Sequence, residues 1–260
     1  MANNKRTIKN VLRGIWNRIC LGIARILFPA QLRMPFYRAT GMKIGKGTKI
    51  AATVDVDQSA PELITIGKNV KEIGVWAFEN NQHVVSFNID DKNEYFCDVD
   101  GVIYTKDMKT LLFYPLAKDL VDETNDDGNV IKVSQYIIPD GVETIRTKAF
   151  YKCYSLTNIQ IPDSVKRIEE KAFFRCDKIN ELKLPQSLEF IGKDAFSYCY
   201  GLKVLDIPAN VKQIDEYAFY NCTNLLTINV DNSEDNLTLG NKWYPTNQGK
   251  NIDELEINWK

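Results

Sequence analysis

Cysteine returns every 23 residues in the second half of this chain. AFYKCYSL begins at 149, AFFRCDKI at 172, AFSYCYGL at 195 and AFYNCTNL at 218, which places Cys153, Cys176, Cys199 and Cys222 in one frame. Evenly spaced thiols could pair as disulfides, hold a metal ion or line up for purely architectural reasons. Zinc is disfavoured, because no CxxC is present and His83 is the only histidine. Equivalent residues of stacked strands lie about 4.8 Å apart, a separation that a disulfide tolerates. Orientation argues against bonding, since side chains at equivalent places in a stack point the same way. The expectation is a ladder of reduced, buried thiols. An earlier partial unit, Val70, Ile73, Ala77 and Phe78, carries Asn81 in the cysteine place. An amide can replace a weak thiol donor but cannot form a disulfide.

No other constellation makes a stronger case for chemistry. His83 precedes Val84 at a turn, where a solvent-facing role is expected; the alternative is a general base. No paired carboxylates and no Cys–His arrangement with a partner base emerge, so no catalytic residue, cofactor or metal is assigned. ETNDDG at 123–128 approximates a calcium loop, but the twelfth place is Ser134 rather than a bidentate Glu. IGKGTK at 44–49 lacks the phosphate-loop spacing, and VDGV at 99–102 reads as a hairpin turn.

The elements that must hold these residues follow from the repeat itself. Pro139, Pro162, Pro185 and Pro208 align; so do Val142, Val165, Leu188 and Val211, and Ile145, Ile168, Ile191 and Ile214. Ala149, Ala172, Ala195 and Ala218 are each followed by Phe, and each unit closes on an L-x-x-I-x-I pattern such as Leu156, Ile159 and Ile161. A lone 23-residue unit buries too little apolar surface to offset its ordering entropy, so the units must stack as a solenoid. The closing pattern predicts a strand with alternate residues inward, stopped by proline. The stretch V-x-x-I-x-x-x-A-F predicts a short helical or turn-like return, with Ala allowing close approach and Phe filling the layer.

Charge divides the chain. Residues 1–50 hold eleven Lys/Arg and no Asp or Glu; the remainder holds 22 bases against 34 acids. Ile8, Val11, Leu12, Ile15, Ile19, Ile23 and Ile26 share one helical face, with Arg6, Lys9 and Arg13 opposite. Arg13, Arg18 and Arg25 oppose a membrane span, and no cleavable leader is recognised. The expectation is a basic amphipathic helix that docks on protein or, through residues 5–28, on an anionic membrane surface. No nucleic-acid module accompanies these bases, and the body is acidic, so nucleic acid is not an expected partner.

IPDSVKRIEEKAFFRC at 161–176 resembles the BspA-type leucine-rich repeat, and NEYFCDVDGVIYTKDMKTLLFYPLAK at 93–118 resembles an embedded hairpin of the same family. Together these motifs cover about residues 64–232. The generic leucine-rich pattern is met more loosely, with Gly141, Ser164, Ser187 and Asn210 in its Asn place. Asn/Cys ladder positions are a leucine-rich-repeat feature. The resemblance implies a right-handed solenoid and noncatalytic binding or adhesion, usually at a cell surface or in a secreted protein. A second resemblance lies at 36–70: Ile44, Ile50 and Val56, six apart, and a restart at Ile66-Gly67 look like the entry to a hexapeptide-repeat acyltransferase. That phase fails at Glu72, where Ile73 fits the 23-residue template instead.

The expected architecture is an α/β solenoid, a right-handed leucine-rich-repeat array of 23-residue units with an inserted β-hairpin, preceded by an amphipathic helix and a short β-helix-like segment. The expected parts are a helical arm at 1–36, hexapeptide-like coils at 37–70, the repeat domain at 71–232 with its insert at about 90–133, and a cap at 233–260. The expected function is binding of a protein or surface glycan by the solenoid face; the alternative is an acyl-CoA-dependent transferase or its degenerate derivative. Two surfaces are candidates. Strand positions facing out are Asn158, Gln160, Glu181, Lys183, Val204, Asp206, Thr227 and Asn229. An aromatic stripe, Tyr151, Tyr154, Phe174, Tyr198, Tyr200 and Tyr220, flanks the cysteine turns; it either forms an interface or covers the layer edges.

Overall fold

The computed structural model describes residues 48–50, 63–78, 82–124, 127–246 and 255–260. The N-terminal arm and its amphipathic face lie outside these residues, as does Asn81. β1 (Thr48–Ile50), β2 (Leu63–Ile66) and β3 (Ser86–Ile89) form a first sheet. β4 (Phe96–Val99), β5 (Val102–Thr105) and β6 (Thr110–Phe113) form a meander, and β7 (Val121–Thr124) pairs with β8 (Val130–Ile137) as a hairpin. Short and long strands then follow: β9 (Thr144–Ile145), β10 (Leu156–Gln160), β11 (Arg167–Ile168), β12 (Phe190–Ile191), β13 (Val204–Ile207), β14 (Gln213–Ile214), β15 (Thr227–Val230), β16 (Thr238–Leu239) and β17 (Glu256–Trp259).

Two parallel ladders run along the array, because each unit presents the same backbone to its neighbours. The short strands build one sheet in the order β16-β14-β12-β11-β9-β6-β5-β4. On the long-strand face β13, β15 and β17 pair in register, Leu205↔Ile228↔Ile257. Between the ladders the aligned apolar residues are almost fully buried. Phe150, Phe173, Phe196 and Phe219 stack at 4.9, 5.1 and 5.4 Å with planes 10°, 4° and 3° apart. Tyr114 closes this spine at one end, 5.0 Å from Phe150, and Trp243 closes the other edge-on to Phe219.

The return stretch is not helical, which corrects the α/β expectation. Among the described residues the one helical element is the 3-10 turn Glu234–Asn236. Hydrogen bonding explains the difference. The N–H groups of Ala149, Tyr151 and Cys153 close turns onto Arg146, Lys148 and Phe150, three residues back. Those of Lys148, Phe150 and Lys152 instead cross to the next unit, reaching Glu170, Ala172 and Phe174 at 3.0, 2.8 and 2.8 Å. An α-helix needs every N–H to turn back four residues; here half are committed to the neighbouring repeat. Left-handed residues set the alternation, with φ of 62° at Lys148 and 63° at Lys152 and equivalents in the following units.

The 23-residue frame starts upstream of the regular array. β2 pairs parallel with β3, Leu63 opposite Ser86 and Ile66 opposite Ile89. β1 pairs antiparallel with β2, whereas coils of a β-helix stack their strands in parallel. The described part of the hexapeptide-like segment therefore gives that reading no support; residues 37–47 and 51–62 lie outside the description.

The expected insert proves to be two devices. The first is a wall. β6 pairs with β9 as a preceding repeat would, Leu111 opposite Ile145. Val102, Tyr104 and Leu111 face the main core, while Ile103, Leu112 and Phe113 face a separate N-terminal core with Ile64, Phe87 and Ile89. Successive strand residues point to opposite faces, so a continuous apolar run suits a strand with a core on each side. Asn93 anchors the wall's entry: its buried amide donates to Gly67 and Val70 carbonyls, and its oxygen accepts from Tyr95 and Phe96 N–H groups. Arg146 ties the two cores, donating to the Ile73 carbonyl and lying 5.4 Å from the Phe113 ring. The second device is the β7–β8 hairpin. β8 is already the first long strand of the array, with Tyr136 opposite Ile159, and Ser134 is buried in that ladder.

The long-strand face is not continuous. β10 reaches the next row only by an isolated bridge, Asn158↔Glu181, and β13 begins another sheet. The row in between reads N-E-L-K-L from Asn180 to Leu184. It holds no β-branched residue, and Asn, Glu and Lys are poor strand formers. The next two rows read V-L-D-I and T-I-N-V and pair fully with each other.

Candidate binding site

The thiols form the ladder that the spacing predicts, and the structure shows why. Cys176, Cys199 and Cys222 donate Sγ–H to the carbonyls of Phe150, Phe173 and Phe196 at 3.2, 3.2 and 3.1 Å. Each of those carbonyls also accepts the N–H of its own unit's cysteine. All four repeat cysteines are free and buried. Burial pushes the Cys176 and Cys199 thiols well above the ordinary range and Cys222 up to about 12. A thiol held neutral in apolar surroundings is a poor nucleophile and a poor metal ligand. The ladder is therefore architecture, and recognition must be sought on the outer faces. Among the described residues, no group of three or more His, Cys, Asp or Glu is placed to hold a metal ion. His83 lies exposed in a turn.

The exposed long-strand face carries an open groove of about 940 Å³. It lies over the interrupted row and extends to the C-terminal strand. Of the eight predicted strand positions, it gathers Glu181, Lys183, Val204, Asp206 and Asn229. Asn158, Gln160 and Thr227 lie outside it, the first two exposed and the third half-buried. Inside, the side chains hold one another. Asn229 donates to Asp206 at 2.7 Å, and Asn258 donates to Asn229 at 2.9 Å. The row register makes this possible, since Asp206, Asn229 and Asn258 are direct neighbours across β13, β15 and β17. Lys260 pairs with Asp231. Val204 is 51% exposed, and half-buried Trp259 joins the lining. Asn258, Trp259 and Lys260 were not among the predicted site residues. The alternation of LEINW at 255–259 carries the signal for Asn258.

The predicted aromatic stripe is brought together at the turns. Tyr151 stacks on Phe174 at 5.2 Å, Phe174 meets Tyr198 at 5.3 Å, and Tyr198 meets Tyr200 and Tyr220 edge-on at 6.2 and 5.6 Å. Arg175 bridges Tyr154 and Tyr198, 5.4 and 5.9 Å from the two rings. Trp76 extends the row beyond Tyr151; of its equivalents in the array, Lys148, Lys171, Asp194 and Tyr217, one is aromatic, and that is the signal the repeat alignment offers for it. Apart from exposed Tyr154, the predicted rings are half-buried against one another, so their contacts also seal the layer edges.

A model of the BspA type leucine rich repeat region matches residues 57–99 and 128–244 in six copies. The chain belongs to this family. The unmatched span of the BspA-type array, residues 100–127, contains β5, β6 and β7 of the wall and hairpin. The search of curated proteins finds no match. Among solved structures, the pneumococcal vaccine antigen PcpA is 25% identical with a TM-score of 0.58, over 76% of this chain and 45% of that one. A leucine-rich repeat protein from Eubacterium ventriosum is 23% identical with a TM-score of 0.57, over 71% and 49%. A leucine rich cell surface protein from Faecalibacterium prausnitzii is 24% identical with a TM-score of 0.55, over 73% and 49%. This BspA-type chain thus spans about half the length of the structures it matches.

Proposed function

We propose that this chain is a noncatalytic binding module acting at a cell surface, and that it takes its ligand on the exposed long-strand face. The observation that carries this reading is the groove of about 940 Å³, whose Asp206, Asn229 and Asn258 side chains are already tied in a row. Side chains ordered before the ligand arrives lose less entropy on binding, and solenoids use extended faces of this kind for recognition. The family match and the likeness to a vaccine antigen and a cell surface protein support an adhesive role. The acyl-CoA-dependent alternative draws no support from the antiparallel β1–β2 pairing or from His83, exposed in its turn.

The test compares the full chain with its Val204→Arg variant on an array of purified extracellular proteins and polysaccharides, alongside acyl-CoA binding and hydrolysis assays. Val204 is exposed, so the variant should fold. Binding to an array component that the variant loses is the expected result. Binding that survives the substitution, or measurable affinity for CoA, would overturn the reading.

A further inference from the structure

We propose that the occupant of this groove is a neutral, unbranched β-linked polysaccharide laid across the strands; this rests on the groove being the binding site. Three properties of the lining point to it. The first is charge balance. Glu181, Asp206 and Asp231 face Lys183, Lys203 and Lys260 in the same groove. A polyanion or polycation is recognised where one sign is in excess, and neither is in excess here.

The second property is donor and acceptor chemistry. Amides both donate and accept, and carboxylates accept at two oxygens. The column Asp206–Asn229–Asn258 presents these groups side by side in fixed orientations. Sugar hydroxyls likewise donate and accept, and vicinal pairs match a planar carboxamide or carboxylate. A sugar ring also has an apolar C–H face, for which Val204, 51% exposed on the outer face, supplies a partner within the groove.

The third property is repeat length. Adjacent strands lie about 4.8 Å apart, close to the advance of one pyranose ring in an extended β-linked chain. A polysaccharide running across the rows would meet equivalent groups at each ring. A polypeptide would gain main-chain bonds by adding to the strand edge that β13 leaves at the interrupted row, whereas the ordered column Asp206–Asn229–Asn258 runs across the sheet face, away from that edge.

Affinity electrophoresis of the full chain in gels containing dissolved polysaccharide tests this. The probes are β-linked glucan and mannan, polygalacturonate as the anionic control, and denatured casein as the polypeptide control. Retardation by a neutral polysaccharide is expected, with affinity reduced at least tenfold in Asn229→Ala and Val204→Arg. Trp259 stands on the core side, 6.1 Å from Trp243, so the variants are placed at Asn229 and Val204, outside the core. Tyr198→Ala, in the aromatic stripe, should bind normally. Retardation by polygalacturonate or casein alone, lost in the groove variants, would overturn the glycan assignment while leaving the groove reading intact. Binding that only Tyr198→Ala abolishes would overturn both. Absence of binding to every probe would overturn the glycan assignment.

Discussion

Replacing Cys199 with alanine measures what one rung of the thiol ladder contributes. Cys199 is fully buried, and its Sγ donates to the Phe173 carbonyl at 3.2 Å. Truncation removes one buried heavy atom, comparable to a methylene at about 0.8 kcal/mol before any cavity cost. It also removes a hydrogen bond with a net contribution of about 0.5–1 kcal/mol. The acceptor is not orphaned, because Phe173 still accepts the Cys176 N–H at 3.1 Å. The penalty of about 1–3 kcal/mol for an unpaired buried group therefore does not apply. The expected loss is about 2 kcal/mol, read from the urea midpoint and slope of far-UV circular dichroism. Cys176→Ala and Cys222→Ala have equivalent geometry and should agree with it within about 0.5 kcal/mol. A loss near zero would show that the thiols neither pack nor bond. A loss above about 4 kcal/mol at any rung would point to a covalent or metal-linked role and refute the architectural account.

Three other perturbations probe the same framework. The raised thiol pKa values of Cys176, Cys199 and Cys222 make their contribution fully present below the unfolded-state pKa of 9.0. It is lost as pH rises above that value, because the unfolded chain releases protons that the folded chain retains. Stability should fall by about 1.4 kcal/mol per pH unit for each such thiol between pH 9 and their folded values; a flat profile from pH 9 to 11 would contradict this. Lys152 has φ of 63°, so Lys152→Gly should hold or raise the melting temperature, while Lys152→Val should lower stability by about 1–2 kcal/mol. Equal melting temperatures for the two would mean that the turn is not left-handed. At Gly201 a side chain would meet the Ile179 carbonyl of the preceding unit; Gly201→Ala should cost about 1–3 kcal/mol in urea unfolding, and a neutral result would show that the two rows stand further apart.

The parts of the fold legible in the sequence are those written in local spacing. The 23-residue return of Pro, Val, Ala-Phe and Cys predicts stacked units, and the stack places the sulfurs over the Phe carbonyls. The return segment was harder to read. Three- and four-residue spacings suit a helix and a chain of turns alike, and only the crossing hydrogen bonds from Lys148, Phe150 and Lys152 separate the two. For the outer long-strand face, alternation places Glu181, Lys183, Val204, Asp206 and Asn229 outward, but does not show that these five share a groove from which Asn158, Gln160 and Thr227 are absent.

The sequence by itself therefore determined the repeat, its inward and outward faces and the inert character of its cysteines, because a parallel stack converts position along the chain directly into position in space. Tertiary structure decided the rest. The segment from Phe96 to Phe113 became a wall between two cores because its two faces are satisfied by residues far apart in the chain. The groove arose where the weak strand formers of Asn180–Leu184 failed to continue the ladder and a strand from the C-terminal end met residues of three earlier rows. Such pairings depend on which distant surfaces meet, and no local period encodes them.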